Sequence, residues 1–273
     1  MLLSRLRKPV DTFFPGVARL YRSIRDSSLA AELRPTSYGF KLAGEPRFAA
    51  TGFESREVSA FVDLLQYHDV VLDIGANVGF YSCLAGWQGK QVLACEPSPR
   101  NLKFLYRNIW ENGLSNIEVF PLGLAQSPGI KRLYGFSDMA SFVPGWAQAD
   151  QKRSTLVPVT SLDNLIATRF PQKRLLIKMD VEGFEMDVLA GAQETLARTP
   201  KPTWLVEILL RSEVIPDGIN PRFRDVFAAF WQHGYRCRAL DSEHRLISPM
   251  EVNHWLTDGG ADIASRNFLF FDS

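Results

Sequence analysis

Cysteine is scarce in this chain. Three residues, Cys83, Cys95 and Cys237, stand far apart among 273, and no pair has metal or redox spacing. A scattered, odd set of thiols excludes a disulfide scaffold and suits a reducing compartment. Histidine offers little chemistry either. His68 precedes an apolar run, His233 ends a helix-like stretch, and His244 and His254 fall in late polar segments. No apolar run approaches the ~18 residues of a membrane-spanning helix. Met1 to Val10 is basic but lacks the apolar core of a secretory signal. Secretion is therefore not expected, and a cytoplasmic location is. Charge of one sign is missing too: the formal net charge is +1. The chain as a whole has no field that favours nucleic acid or an anionic membrane.

What remains is ordinary globular composition, 46% hydrophobic and 22% charged. Residues 1–50 stand apart. They are basic (Arg5, Arg7, Lys8, Arg19, Arg22, Arg25), with Phe13, Phe14, Val17, Leu20, Tyr21 and Ile24 at roughly helical spacing. A helical extension packed on the core is expected there, with a membrane-surface or partner-binding helix as the alternative. Residues 51–273 read as one domain. After a helix over 54–67, strands and helices alternate, the pattern of a mostly parallel sheet with helices on both faces. Strands are expected at Val70–Asp73, Gln91–Cys95, Ile117–Pro121, Leu175–Met179, Trp204–Leu210, Gly234–Cys237 and Phe268–Phe271. Residues 127–159 read as irregular. Ser98-Pro99 is a helix start, with Pro221–His233 helical and Phe223, Val226, Phe227 and Phe230 inward.

The most informative stretch runs from Asp73 to Tyr81. A buried strand breaks at Asp73 into Gly75-Ala76-Asn77-Val78-Gly79 and then a helix. Glycine leaves room for a cofactor to cross such a turn. The spacing is G-x-N-x-G rather than G-x-G-x-x-G. A dinucleotide site needs a second glycine so that backbone can approach the pyrophosphate, and here that position is Asn77. S-adenosylmethionine, which carries no phosphate, needs no such space, and Asp73 can face its cationic methionine end. A nicotinamide cofactor fails on Asn77. About 20 residues further on, at the end of the next strand, Glu96 is placed to accept hydrogen bonds from both ribose hydroxyls. Asp73, Glu96, Asp180 and Glu207 all fall at or near strand carboxyl ends, where open parallel sheets bind ligands.

These residues carry a resemblance. Asp73-Ile74-Gly75-Ala76-Asn77-Val78-Gly79-Phe80-Tyr81-Ser82 is similar to the first motif of the FkbM family of S-adenosylmethionine-dependent methyltransferases. Lys178-Met179-Asp180-Val181-Glu182-Gly183-Phe184-Glu185 resembles that family's most characteristic block, and Val188-Leu189-Ala190-Gly191-Ala192 follows it. Glu96-Pro97-Ser98-Pro99, Ser161-Leu162-Asp163 and Glu207 match in order and spacing. The resemblance covers roughly residues 50–271. It implies a Rossmann-like seven-stranded α/β fold and methyl transfer to oxygen, commonly on a sugar or a complex natural product. It places Asp73, Gly75, Asn77, Gly79, Glu96, Pro97 and Ser98 on the cofactor, and Asp180, Glu182 and Glu207 at the reaction centre.

A base near the acceptor oxygen helps methyl transfer to a hydroxyl, and the carboxylates Asp180 and Glu182 are its best candidates, with Glu207 clustered beside them. Each has a plainer role open to it. Asp180 can cap the next helix, Glu182 can be a solvated first-turn acid, and Glu207 can pair with Lys178. No metal site is assigned, a divalent ion between Asp180 and Glu207 being the lesser alternative. Tyr134, Phe136, Asp138, Ser141, Phe142 and Trp146 are candidate acceptor-pocket residues, or an ordinary loop on the core; Arg211 can meet an acidic acceptor. The alternatives are a nucleic-acid or protein methyltransferase and a non-catalytic cofactor-binding protein. The acidic Asp180–Gly183 segment lacks the aromatic platform for a base, so a small-molecule or glycan hydroxyl is the expected acceptor. Oligomeric state stays open.

Overall fold

The computed structural model describes residues 32–135, 139–146, 154–211, 215, 218–241, 245–260, 263 and 265–272. The chain groups into two units, residues 1–53 and 54–273. The apolar helical pattern of residues 13–24 lies outside the described residues. The described part of the first unit is not helical as expected. It holds an antiparallel pair, Arg34–Pro35 with Lys41–Leu42, and a single 3₁₀ turn at Pro46–Ala49. Pro35 and Pro46 remove helix donors, and Gly39 and Gly44 sit at positive φ, so a continuous helix cannot form there.

In the second unit the elements follow in the order α1 (Ser55–Leu65), β1 (Val70–Ile74), α2 (Phe80–Trp87), β2 (Gln91–Cys95), α3 (Pro99–Glu111) and β3 (Ile117–Phe120). Next come β4 (Gly123–Leu124), β5 (Gly129–Tyr134), β6 (Ser154–Thr160), α4 (Leu162–Ile166), β7 (Leu175–Met179), α5 (Glu185–Ala190) and α6 (Gln193–Ala197). The chain continues with β8 (Thr203–Glu207), α7 (Phe223–Gln232), β9 (Arg236–Ala239), β10 (Leu246–Ile247), α8 (Pro249–Asp258) and β11 (Asn267–Phe271).

The main sheet has the order β10-β9-β11-β8-β7-β1-β2-β3. The strands from β8 through β3 are parallel, whereas β11 runs antiparallel to both β8 and β9. All seven predicted strands are present, and the two-residue β10 extends the edge. The strand order turns at β1, with β2 on one side and β7 on the other. That is the switch point outside which open parallel sheets bind ligands.

Every residue of β1 and β7 is buried, the charged Asp73 and Lys178 included, so both strands are covered on both faces. Alternation then divides the sheet between two helix layers. Val70, Leu72 and Ile74 pack into one large cluster with Val188 and Leu189 of α5 and Val226, Phe227 and Phe230 of α7. On the opposite face Ala94 of β2 packs with Leu105 of α3. The inward stripe predicted for α7 is fully buried, and Phe230 stacks on Phe270 of β11 with ring centroids 3.9 Å apart.

The stretch 127–159, read as irregular, contributes a second sheet, β4-β6-β5, in which β5 and β6 are antiparallel. Helix α8 was also not anticipated. Its start is a full capping box, with Ser248 accepting from the Glu251 amide and Glu251 accepting from the Ser248 amide.

Candidate active site

The chain leaves β1 through three left-handed residues, Gly75 (φ 82°), Asn77 (φ 54°) and Gly79 (φ 91°), before α2 begins. Glycine is needed at two of them because the protein packs against itself. A Cβ on Gly75 would collide with the Asp180 carbonyl oxygen, and one on Gly79 with the Leu105 side chain. The sequence-based reason, room for a ligand, is therefore secondary at Gly75, which lines the cleft. Gly79 stands off the cleft wall.

Glu96, at the end of β2, organises this turn. Its Oε2 accepts from the Asn77 amide at 2.7 Å and its Oε1 from the Ser98 amide at 2.7 Å, with the Asn101 side-chain amide at 3.4 Å. A carboxylate offers about four acceptor sites, so three donated bonds leave about one for a hydroxyl donor. Burial pushes the Glu96 carboxyl up to about 7 against these hydrogen bonds. Ser98 contributes its backbone; as N-cap of α3 its side chain makes no capping bond. Asn101, one turn into α3, is a site residue that the sequence did not single out.

Asp73 lies beneath the cleft rather than on its wall, 1% exposed. Its Oδ2 accepts from the Ser82 hydroxyl of α2 at 2.6 Å, and its Oδ1 has no hydrogen-bond partner among the described residues. Asn77 Oδ1 is likewise a buried acceptor without a partner. Burial raises the Asp73 carboxyl, opposed by the nearby Lys178 ammonium.

The acidic end of the site follows β7. Asp180, whose amide continues the ladder to Ile74 O at 3.0 Å, pairs through Oδ2 with Lys178 Nζ at 3.3 Å. Lys178 is buried, with its ammonium 4.6 Å from the centre of the Tyr81 ring, and Tyr81 donates to Glu54 at 2.6 Å. Burial opposes the Lys178 charge, but the carboxylates of Asp180, Asp73, Glu54 and Glu207 outweigh it and hold the ammonium above its ordinary range. Glu207 pairs with Arg266 at 3.4 Å, not with Lys178. Burial and the Asp180 carboxylate push Glu207 up to about 9. Asp180 does not cap α5; the Glu185 side chain instead accepts from the Gly183 amide at 2.9 Å.

Glu182 is not a solvated first-turn acid. Its backbone is left-handed (φ 52°), followed by Gly183 at φ 88°. Its carbonyl accepts from the Ser141 hydroxyl at 2.6 Å and its Oε2 from the Trp146 indole at 2.7 Å. Burial, then Asp180, push the Glu182 carboxyl up to about 8.

Ile74, Gly75, Asn77, Glu96, Pro97 and Asn101 share one cleft with Asp180 and Glu182, closed on its apolar side by Leu122, Leu133, Phe142 and Phe184. The structure thus brings Gly75, Asn77, Glu96, Pro97, Asp180 and Glu182 together and leaves Asp73, Gly79, Ser98 and Glu207 off the wall. Of the predicted acceptor aromatics, Phe142 lines the cleft, Trp146 and Ser141 hold Glu182, and Tyr134 pairs with Ser141 in the smaller sheet. Phe136 and Asp138 lie outside the described residues. Arg211 lines a separate groove with Gly259, Gly260 and Arg266.

His68 sits at the amino end of β1, bonded to Leu64 O and Thr203 Oγ1. His233 caps α7, His254 is paired with Asp258, and His244 is outside the described residues. A divalent ion between Asp180 and Glu207 gains no support, because each already faces a cation of the chain. Among the described residues no group of three or more His, Cys, Asp or Glu is arranged to hold a metal ion. Among the same residues, no helix is long and apolar enough to cross a membrane.

The methyltransferase FkbM domain is matched over residues 73–237. The hexuronic acid methyltransferase AglP of Haloferax volcanii is 29% identical over 130 residues, 47% of this chain and 52% of that protein. The chain therefore spans about half the length of that relative. The methyltransferase sdnD of Sordaria araneosa is 28% identical over 185 residues, 56% of this chain and 69% of that protein. Among solved structures, a methyltransferase FkbM from Methylobacillus flagellatus aligns with TM-score 0.47 and 19% identity, covering 75% of this chain and 44% of that one.

Proposed function

This chain belongs to the FkbM methyltransferase family, and from that premise we propose that it is an S-adenosylmethionine-dependent O-methyltransferase acting on a hydroxyl of a sugar or complex natural product. One observation carries the reading. Glu96 and the pair Asp180/Glu182 stand on the wall of a single cleft, at the carboxyl ends of strands flanking the switch point. The hexuronic acid methyltransferase among its relatives supports a sugar acceptor.

The residues fit the methyl donor. Glu96 keeps about one acceptor site for a ribose hydroxyl, and the long Asn101 bond, at 3.4 Å, can yield to the second. Asn77 Oδ1 is a buried acceptor awaiting a donor on the cleft wall, and Asp73 Oδ1 is another just beneath it. Asn77 and its left-handed turn occupy the place where a pyrophosphate would need glycine. Bound there, S-adenosylmethionine supplies an electrophilic methyl group and leaves as the thioether.

The chain's own groups do the rest. The apolar wall of Leu122, Leu133, Phe142 and Phe184 excludes water and aligns the acceptor. Alignment of this kind is worth ~7–11 kcal/mol. Asp180 or Glu182 takes the hydroxyl proton, a contribution of ~10²–10⁴-fold. Glu182, pushed up to about 8, is matched to work near neutral pH. Glu207 stands off the wall, paired with Arg266.

Asp180→Asn and Glu182→Gln, assayed separately with methyl-labelled donor on a panel of hydroxylated acceptors, test this. At least one variant is expected to lose about 10²-fold in kcat while binding S-adenosylhomocysteine as the parent does. Full turnover in both folded variants sinks the base assignment. A parent that binds the cofactor product and methylates no hydroxyl sinks the O-methyl reading.

A further inference from the structure

The turn carrying Glu182 is held by the segment opposite. Glu182 (φ 52°) and Gly183 (φ 88°) are consecutive left-handed residues. A glutamate in that conformation persists only where surroundings over-determine it. Three contacts from residues 141–146 do so. The Ser141 hydroxyl donates to Glu182 O at 2.6 Å, and the Trp146 indole N–H donates to Glu182 Oε2 at 2.7 Å. The Trp146 ring also lies against the Cα of Gly183, in the space a Cβ would fill. Trp146 itself is 3% exposed, so its ring is fixed by packing.

We propose that Trp146 is a positioning residue for Glu182: its indole fixes Oε2 and turns Oε1, which has no hydrogen-bond partner among the described residues, to the acceptor side of the cleft. This rests on the reading that Glu182 faces the reacting hydroxyl. It adds that the aromatic segment bearing Phe142 and the acid are one mechanical piece, so the wall that seats the acceptor also aims the base. An N–H donated to a carboxylate stabilises its charged form. Glu182 also faces Asp180, Glu185 and Lys178, with Glu207 within electrostatic reach. Against three acids and one ammonium, the indole is the neutral donor that keeps Glu182 ionisable near neutral pH.

Trp146→Phe removes the donor while keeping a smaller aromatic body beside Gly183, so thermal stability is measured with it. Carboxyl ¹³C NMR titration of the ligand-free protein, with Glu182 assigned through Glu182→Gln, reads the effect without cofactor or acceptor. In W146F the Glu182 midpoint is expected to rise by about one pH unit. In turnover assays kcat falls at least about tenfold with an unchanged KM for the methyl donor. An unchanged midpoint, with turnover falling only as thermal stability falls, overturns the proposal. Should W146F not fold, the six tryptophan indole resonances of the parent serve instead. One is expected to follow the Glu182 titration and to lose that response in E182Q; none doing so overturns the proposal. A parent inactive on hydroxyls sinks the functional reading, while the titration still judges Trp146.

Discussion

The carbonyl oxygen of Asp180 occupies the space that a Cβ on Gly75 would need, so the turn after β1 and the acidic end of β7 are fitted to one another through a missing side chain. Two motifs about a hundred residues apart are thereby made one surface before any ligand arrives. The turn after β1 and the Asp180 end of the cleft share a backbone contact.

Gly75→Ala is expected to destabilise the ligand-free protein. Alanine at φ 82° costs about 1–2 kcal/mol, and the collision adds about 1–3 kcal/mol of overpacking. Urea denaturation without cofactor measures this. A variant of parental stability that loses only cofactor affinity contradicts the account of the turn.

Asp163, although part of the resemblance, does structural work. Its carboxylate accepts from the Glu194 amide at 3.0 Å, the Thr195 amide at 2.8 Å and the Thr195 hydroxyl at 2.7 Å. It ties the start of α6 to α4, away from the cleft. Asp163→Ala is expected to cost about 1–3 kcal/mol of stability and to leave kcat at a permissive temperature unchanged. A fall in kcat with parental stability contradicts this.

Stability of the ligand-free protein is expected to fall as pH rises from 4.5 through about 7. Burial pushes Glu96 and Glu185 up to about 7 from an ordinary 4.5. Between those values the folded state binds more protons than the unfolded one, so unfolding free energy decreases with pH. The urea midpoint is expected to be lower at pH 8 than at pH 5.5, with Glu185→Gln flattening the difference. A midpoint that rises over this range contradicts the burial of these acids.

Much of this was legible in the sequence. The apolar runs Val70–Leu72 and Leu175–Ile177 announced strands buried on both faces, and Glu96 stood at the right interval from the glycine turn. The partner of Lys178 was legible but misread. Residues 178 and 180 share a face of the chain by the strand period, so Asp180 was the nearer candidate than Glu207 across the sheet. The β5–β6 hairpin was hidden because Ile130 and Leu156 point outward, 66% and 61% exposed, which blurs the alternation that marks a strand. The bond from Trp146 to Glu182 joins residues 36 positions apart, and no local pattern encodes it. The capping box of α8 was there to be read in Ser248-Pro249-Met250-Glu251.

The central claim is that an adenosyl methyl donor lies over the β1 turn with its ribose on Glu96. A crystal structure of the complex with S-adenosylhomocysteine tests it most directly. The expected result is both ribose hydroxyls within hydrogen-bonding distance of Glu96 and the homocysteine sulfur facing Asp180 and Glu182. A ribose seated away from Glu96, or a cleft that stays empty at saturating ligand while accepting a phosphate-bearing nucleotide, contradicts the account.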